Sequence, residues 1–353
     1  MIDEFRILNW RSFLRTRFVF ERKNLLVGPN GSGKSNLLEA LGFLGILRSF
    51  RTGRLNELVN QQCDMFALRG SWQDSSHRVT QLECSVDRSG KRTLLVNGHA
   101  ESSGRDFIQH FYPVVFAPED MEIVCGQPAV RRKFFDMIAC QLDDGYINVL
   151  HDYQKALKLR NLLLKSTSGN RARLEVYEGL LAFAGADLTL RRRRWLEKFN
   201  QVLAVLTPAA PEQLQIQYKM QCDGTAEGFL EQFARNRARE IEKRTTLSGC
   251  HLDDYIMLRG NHIMRNFASN GQNRLAALHC KLASALLLMQ NRGAENLVAL
   301  VDDVTGELDE SNRRKFYELL KPAGQSFFTF TQKPDEKFFN EAKLFDFQNM
   351  TSA

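Results

Sequence analysis

Pairs of cysteines are the first thing missing. The seven cysteines, Cys63, Cys84, Cys125, Cys140, Cys222, Cys250 and Cys280, are odd in number and scattered, and none stands in a Cys-x-x-Cys pair. That spacing argues against a disulfide framework or a zinc site and fits a reducing, cytoplasmic home. No signal peptide is expected either: Asp3 and Glu4 stand where a basic segment and an apolar core would begin. Long hydrophobic runs are absent. The most apolar helical stretch, Leu275 to Met289, carries His279 and Lys281 and is too short to cross a bilayer, so no membrane segment is expected. Internal repeats and low-complexity tracts are also lacking, which excludes solenoids and disordered linkers as the main architecture.

What is there is ordinary in amount and informative in order. The 353 residues, 43% hydrophobic and 25% charged, suffice for one large soluble domain or two smaller ones. Lys and Arg number 48 against 41 Asp and Glu, a net charge of +7 that accommodates a polyanionic partner without requiring one. Strands are expected at Ile2 to Leu8, Arg17 to Phe20 and Leu25 to Val27. A Gly-rich turn follows, then a helix in which Leu37, Leu38, Leu41, Leu44 and Leu47 mark one buried face. From Met65 to Val96 the pattern returns to strands, with Asp87-Arg88-Ser89-Gly90 and Asn97-Gly98 as turns, which predicts an antiparallel flap. Pro128 to Glu242 reads as mostly helical, broken at Ser166-Thr167-Ser168-Gly169-Asn170 and at Thr207-Pro208-Ala209-Ala210-Pro211. A strand near Tyr255 to Leu258, a long helix from Gln272 and strands at Leu297 to Val301 and Ser326 to Phe330 complete the chain.

Gly28-Pro29-Asn30-Gly31-Ser32-Gly33-Lys34-Ser35 fits the P-loop pattern and lies between an apolar strand and an amphipathic helix, as that motif requires. Its glycines free backbone N–H groups to face phosphate oxygens, and the helix N-terminus favours negative charge. Lys34 is then expected on the β- and γ-phosphates of ATP, and Ser35 on magnesium. Leu297 to Val301 runs into Asp302-Asp303, the Walker B arrangement. There Asp302 is expected to hold magnesium and Asp303 to orient or deprotonate the attacking water. Both acids, Lys34 and the serine discussed next are the candidate catalytic residues.

Ser269-Asn270-Gly271-Gln272 opens the helix that runs to Met289 and resembles the ABC signature, Leu-Ser-Gly-Gly-Gln. The resemblance implies that Ser269 and the Gly271 amide bind the γ-phosphate of ATP held by another subunit, so that the site is completed across a dimer. Ala268 and Asn270 depart from the signature in the direction of the SMC and RecF branch. Glu307-Leu308-Asp309 resembles the D-loop, and Thr331, closing Phe327-Phe328-Thr329-Phe330-Thr331, falls where transporters place a switch histidine.

Further segments are similar to the RecF family. Leu8-Asn9-Trp10-Arg11-Ser12-Phe13 resembles its start, which implies Arg11 near the nucleotide. Arg48-Ser49-Phe50-Arg51-Thr52 resembles its basic stretch after the P-loop helix. Phe116-Ala117-Pro118-Glu119-Asp120, then Gly126, Pro128, Arg131, Arg132, Phe134 and Asp136, resemble the entry to its helical domain, and Tyr153 to Leu164 its first long helix. Gly249-Cys250-His251-Leu252-Asp253-Asp254 stands where the family has Gly-Pro-His-Arg-Asp-Asp, so a proline and an arginine are replaced. Asp253 and Asp254, adjacent on a strand, would point to opposite faces, which argues against a metal site there.

The expected fold is therefore α/β: an ABC-type P-loop ATPase head from residues 1–125 and 246–353, with a helical arm at 126–245. The resemblance implies a weak, DNA-stimulated ATPase that forms an ATP-dependent homodimer, binds duplex DNA near single-strand gaps, and works with RecR, alongside RecO and RecA. Arg191-Arg192-Arg193-Arg194, the densest basic cluster, is by itself a solvated helix face, or else contributes about two phosphate contacts. A transporter ATPase subunit and a nuclease-coupled ABC ATPase are the competing readings. The first leaves the basic arm unexplained, and the second needs a nuclease domain where only 44 residues follow Asp309.

Overall fold

A computed structural model describes residues 1–166, 171–207 and 213–348, with the side chains of Arg171 and Glu307 left aside. The expected breaks at Thr167 to Asn170 and Pro208 to Pro211 lie outside the described residues. Contacts divide the chain into one unit of Met1–Glu119 with Ser284–Ala353 and a second of Asp120–Ala283.

The first unit holds two sheets. An antiparallel one has the order β2-β1-β4-β5-β6-β7, formed by β1 (Ile2–Trp10), β2 (Phe13–Val19), β4 (Met65–Gln73), β5 (Val79–Asp87), β6 (Arg92–Val96) and β7 (His99–Ala100). The junctions after β4 are short turns, and the two marked by glycine place it at positive φ: Gly90 at 85°, and Gly98 at 80° beside Asn97 at 52°. The other sheet is wholly parallel, in the order β14-β3-β13-β12-β8, from β3 (Lys23–Val27), β8 (Tyr112–Phe116), β12 (Leu297–Asp302), β13 (Gln325–Phe330) and β14 (Lys343–Asp346). β12 is buried at all six positions, the continuous apolar run of a strand covered on both faces.

The Lys34–Ile46 helix joins the two sheets. Its Leu37, Leu38, Leu41 and Phe43 are fully buried in one core with Phe5, Trp10 and Phe66 of the antiparallel sheet and Leu300 and Phe327 of the parallel one. Trp10 stands edge-on to Phe66 at 4.7 Å, and its indole N–H donates to the carbonyl of Asn36 at 3.0 Å, so the antiparallel sheet holds the first turn of that helix. Buried aromatic pairs of this kind add about 0.5–1.5 kcal/mol each beyond the area they cover.

The second unit combines the helices Pro128–Leu142, Tyr146–Lys165, Arg171–Leu206 and Ala226–Lys243 with a three-stranded antiparallel sheet. Its strands are β9 (Leu214–Lys219), β10 (Asp254–Arg259) and β11 (His262–Ile263). β9 lies in the stretch expected to be mostly helical. Residues 246–283, expected with the head, group instead with the helical unit, and the physical reason is β10. It pairs along its whole length with β9, and Asp254 takes a bidentate bond from Arg131 at 2.8 and 3.0 Å. No helix among the described residues is long and apolar enough to cross a membrane.

The arginine cluster also needs correction. Arg192 is only 5% exposed. Its guanidinium donates to Asp136 at 3.0 Å and to the carbonyl of Cys250 at 2.8 Å, and lies 3.4 Å from Asp253. Arg191 binds Asp143 and Asp187, both at 2.7 Å. Four consecutive helical residues point about 100° apart, so a run this long must send some inward. Arg193 and Arg194 are the exposed members. All seven cysteines are free thiols.

Candidate nucleotide site

The P-loop leaves β3 at Val27 and turns into its helix at Lys34. Gly31 and Gly33 sit at φ +81° and +102°, a region that side-chain-bearing residues enter only with strain. β3 and β12 flank β13 in the parallel sheet, so the loop, the two acids at the end of β12 and the threonines at the end of β13 converge on one edge. Carboxyl ends of parallel strands are where open α/β sheets bind ligands. Here they enclose a cavity of about 160 Å³ lined by Asn30, Gly31, Gly33, Lys34, Ser35, Asn36, Arg51, Asp302, Asp303, Thr329 and Thr331.

Lys34 is 8% exposed. Its ammonium donates to the loop carbonyls of Gly28 at 2.6 Å and Pro29 at 2.8 Å. Burial lowers its pKa, while the carboxylates of Asp302 and Asp303 push the other way. Ser35 Oγ donates to Asp302 Oδ1 at 3.0 Å, and Thr329 Oγ1 reaches the same oxygen at 2.9 Å. Burial raises the pKa of Asp302, opposed by those two hydroxyl donors. Asp303 adopts φ +53°, and its N–H donates to Thr329 Oγ1 at 3.0 Å.

Two observations bear on whether these groups fit a nucleotide with magnesium. The hydroxyl of Ser32, inside the loop, is buried and makes no hydrogen bond, a donor held ready for an oxygen that the protein does not supply. Ser35 and Asp302, a hydroxyl and a carboxylate from distant parts of the chain, already touch, and hard oxygen donors are what magnesium takes. Both fit.

Arg11 does not line this cavity. Its guanidinium forks onto the buried carboxylate of Glu39, on the P-loop helix, at 2.8 and 2.9 Å. The arginine that lines the cavity, beside Lys34, is Arg51, which bonds Asn36 Oδ1 at 2.8 Å and lies 3.5 Å from Glu39. Ser49 sets it there: its Oγ accepts the N–H groups of Arg51 and Thr52, both at 2.9 Å, and donates to Glu39. The motif for Arg51 was visible as a basic stretch, but its place depends on Glu39, which no local pattern marks.

Ser269 and Gly271 belong to the second unit and are exposed there. Ser269 Oγ accepts from Gln272 N at 3.3 Å, and Gln272 Oε1 accepts from Ser269 N at 3.0 Å, a reciprocal capping box that opens the Asn270–Arg292 helix.

The family model for the RecF/RecN/SMC N-terminal domain matches residues 1–350. The chain is 34% identical over 348 residues to the DNA replication and repair protein RecF of Lacticaseibacillus casei, covering 94% of this chain and 92% of that one. Against RecF of Caldanaerobacter subterraneus subsp. tengcongensis the identity is 34% over 349 residues, 95% of each. Among solved structures, the recombination mediator protein RecF with ATP, of the RecFOR pathway, superposes with a TM-score of 0.88 at 32% identity. That match covers 95% of this chain and 93% of the other.

Proposed function

Because this chain belongs to the RecF family, we propose that it is an ATP-hydrolysing protein of DNA replication and repair, working as an ATP-dependent homodimer on duplex DNA beside single-strand gaps. One observation carries the nucleotide chemistry: Lys34, Ser35, Asp302 and Asp303 line one cavity, with Ser35 and Asp302 in contact at 3.0 Å. Lys34 binds the β/γ-phosphates by turning from the Gly28 and Pro29 carbonyls. The amides of Gly31, Ser32 and Gly33 and the Ser32 hydroxyl donate to phosphate oxygens at the positive end of the Lys34–Ile46 helix. Ser35 and Asp302 would hold magnesium, which would supply positive charge to the phosphate oxygens when bound. Asp303 accepts a proton from the water aligned for attack. Ser269 and the Gly271 amide complete the partner's site. RecR, with RecO and RecA, is the expected protein company, and slow hydrolysis stimulated by DNA the expected activity.

Light scattering with saturating ATP tests the division of roles. Asp303→Asn should bind ATP, hydrolyse it slowly and accumulate as a dimer, whereas Lys34→Met should remain monomeric. A dimer trapped by Asp302→Asn but not by Asp303→Asn reverses the roles of the two acids. Unchanged ATP affinity in Lys34→Met refutes the site itself.

A further inference from the structure

We propose that Thr329 is a positioning residue for the two acids: its hydroxyl ties the carboxylate of Asp302 to the backbone of Asp303 and so fixes both at once. This rests on the nucleotide-site reading above and goes beyond it, because Thr329 belongs to neither the P-loop nor the acid pair. The hydroxyl is 2.9 Å from Asp302 Oδ1 and 3.0 Å from the nitrogen of Asp303, and the residue is 2% exposed. Chemistry fixes the direction of both bonds. An amide N–H only donates, so the oxygen of Thr329 accepts from Asp303, and its single proton is left for the carboxylate.

The register explains why a side chain is needed. β12 and β13 pair in parallel from Val298 with Gln325 to Asp302 with Thr329, where the ladder ends. The next amide, that of Asp303, has a hydroxyl in place of a ladder carbonyl. At that point the backbone turns into the left-handed region, φ +53°, which an Asp adopts only at some cost in free energy. The hydrogen bond to Thr329 compensates for that turn and sends the Asp303 side chain off the strand direction, into the cavity wall that both acids share. Ser35 and Thr329 both address Oδ1 of Asp302, so neither hydroxyl occupies Oδ2. A fixed carboxylate with one oxygen left out of these two bonds is suited to hold an ion, and a fixed Asp303 backbone sets where its carboxylate meets water.

The test compares Thr329→Val, which keeps the shape and removes the hydroxyl, with Thr329→Ser, which keeps the hydroxyl, and Lys34→Met as a control. Losing a hydrogen bond to a buried charge is worth roughly tenfold to hundredfold, so kcat should fall by about that factor in Thr329→Val. Equilibrium ATP affinity without magnesium should stay near wild type, because the P-loop is intact. The magnesium concentration that half-saturates nucleotide binding should rise. In the protein without nucleotide, amide hydrogen exchange at Asp303 should accelerate. Thr329→Ser should recover most of each effect, and Thr329→Ala serves if valine is not accommodated. Normal kcat and slow Asp303 exchange in Thr329→Val, beside an inactive Lys34→Met, overturn the role of Thr329 and leave the nucleotide site standing. Failure of Thr329→Ser to recover function overturns it as well. Full activity in Lys34→Met overturns the site reading, and this proposal with it.

Discussion

Two positions apart on one helix, Arg192 and Arg194 meet opposite surroundings. Arg192 is buried among Asp136, Asp253 and the Cys250 carbonyl, whereas Arg194 is exposed, 5.8 Å from the ring of Trp195. Truncating one member of a buried ion pair leaves the other charges stranded and costs about 3–5 kcal/mol. Arg192→Ala should therefore destabilise the protein by about that much in urea unfolding, while Arg194→Ala should stay within about 0.5 kcal/mol of wild type. Equal effects would contradict the burial. His251 allows a pH prediction in the same neighbourhood. Its Nδ1 lies 2.8 Å from the Tyr153 hydroxyl, and burial pushes its pKa down to about 4. The unfolded chain, with a histidine near 6.5, binds more protons than the folded one between those values, so stability falls as pH drops from 6.5 towards 4. The full difference is on the order of 3 kcal/mol. His251→Gln should flatten that part of the stability profile, and an unchanged slope would mean the ring is already charged. At this scale the sequence marked Gly28 to Ser35, Asp302 and Asp303 as candidates, and most of them line one cavity, because a phosphate loop and a strand-end acid pair are local patterns. Arg51 and Thr329 were not legible as site residues, since their places are set by Glu39 and by strand register far along the chain.

At the level of elements, the Ser269 capping box separates two roles that one serine can play. A helix cap is worth about 1 kcal/mol, and Gln272 still satisfies the Ser269 backbone N–H when the hydroxyl is removed. Ser269→Ala should thus lower stability by about 1 kcal/mol and leave ATP affinity of the monomer unchanged, yet reduce hydrolysis at protein concentrations that favour dimers. A loss of hydrolysis that follows unfolding alone, restored by a stabilising co-solvent, would leave Ser269 only its cap. Most strands of the head were readable because apolar runs and turn residues alternate at short range, although β8 and β14, the two edges of the parallel sheet, were not expected. β9 was not readable. Its sequence, Leu-Gln-Ile-Gln-Tyr-Lys, does alternate, with Leu214 and Ile216 buried, but the surrounding helical periodicity dominated and its partner β10 lies about 40 residues on.

For the molecule as a whole, contacts group residues 246–283 with the unit that holds the helical stretch, whereas the sequence reading joined them to the head. Sequence boundaries failed there because β10 belongs to a sheet that closes only when β9 exists. The net charge of +7 and the exposed Arg193 and Arg194 bear on duplex binding. Replacing both with alanine should reduce the slope of log affinity against log salt by at most about 2, without altering sequence preference. An identical slope would return these two to the solvated surface. The central claim, an ATPase whose cycle serves duplex DNA, is tested most directly by steady-state ATP turnover with and without gapped duplex DNA. Turnover should be slow alone, rise when the DNA is added, and vanish in Lys34→Met under both conditions. A rate indifferent to DNA, or one that survives Lys34→Met, would contradict it.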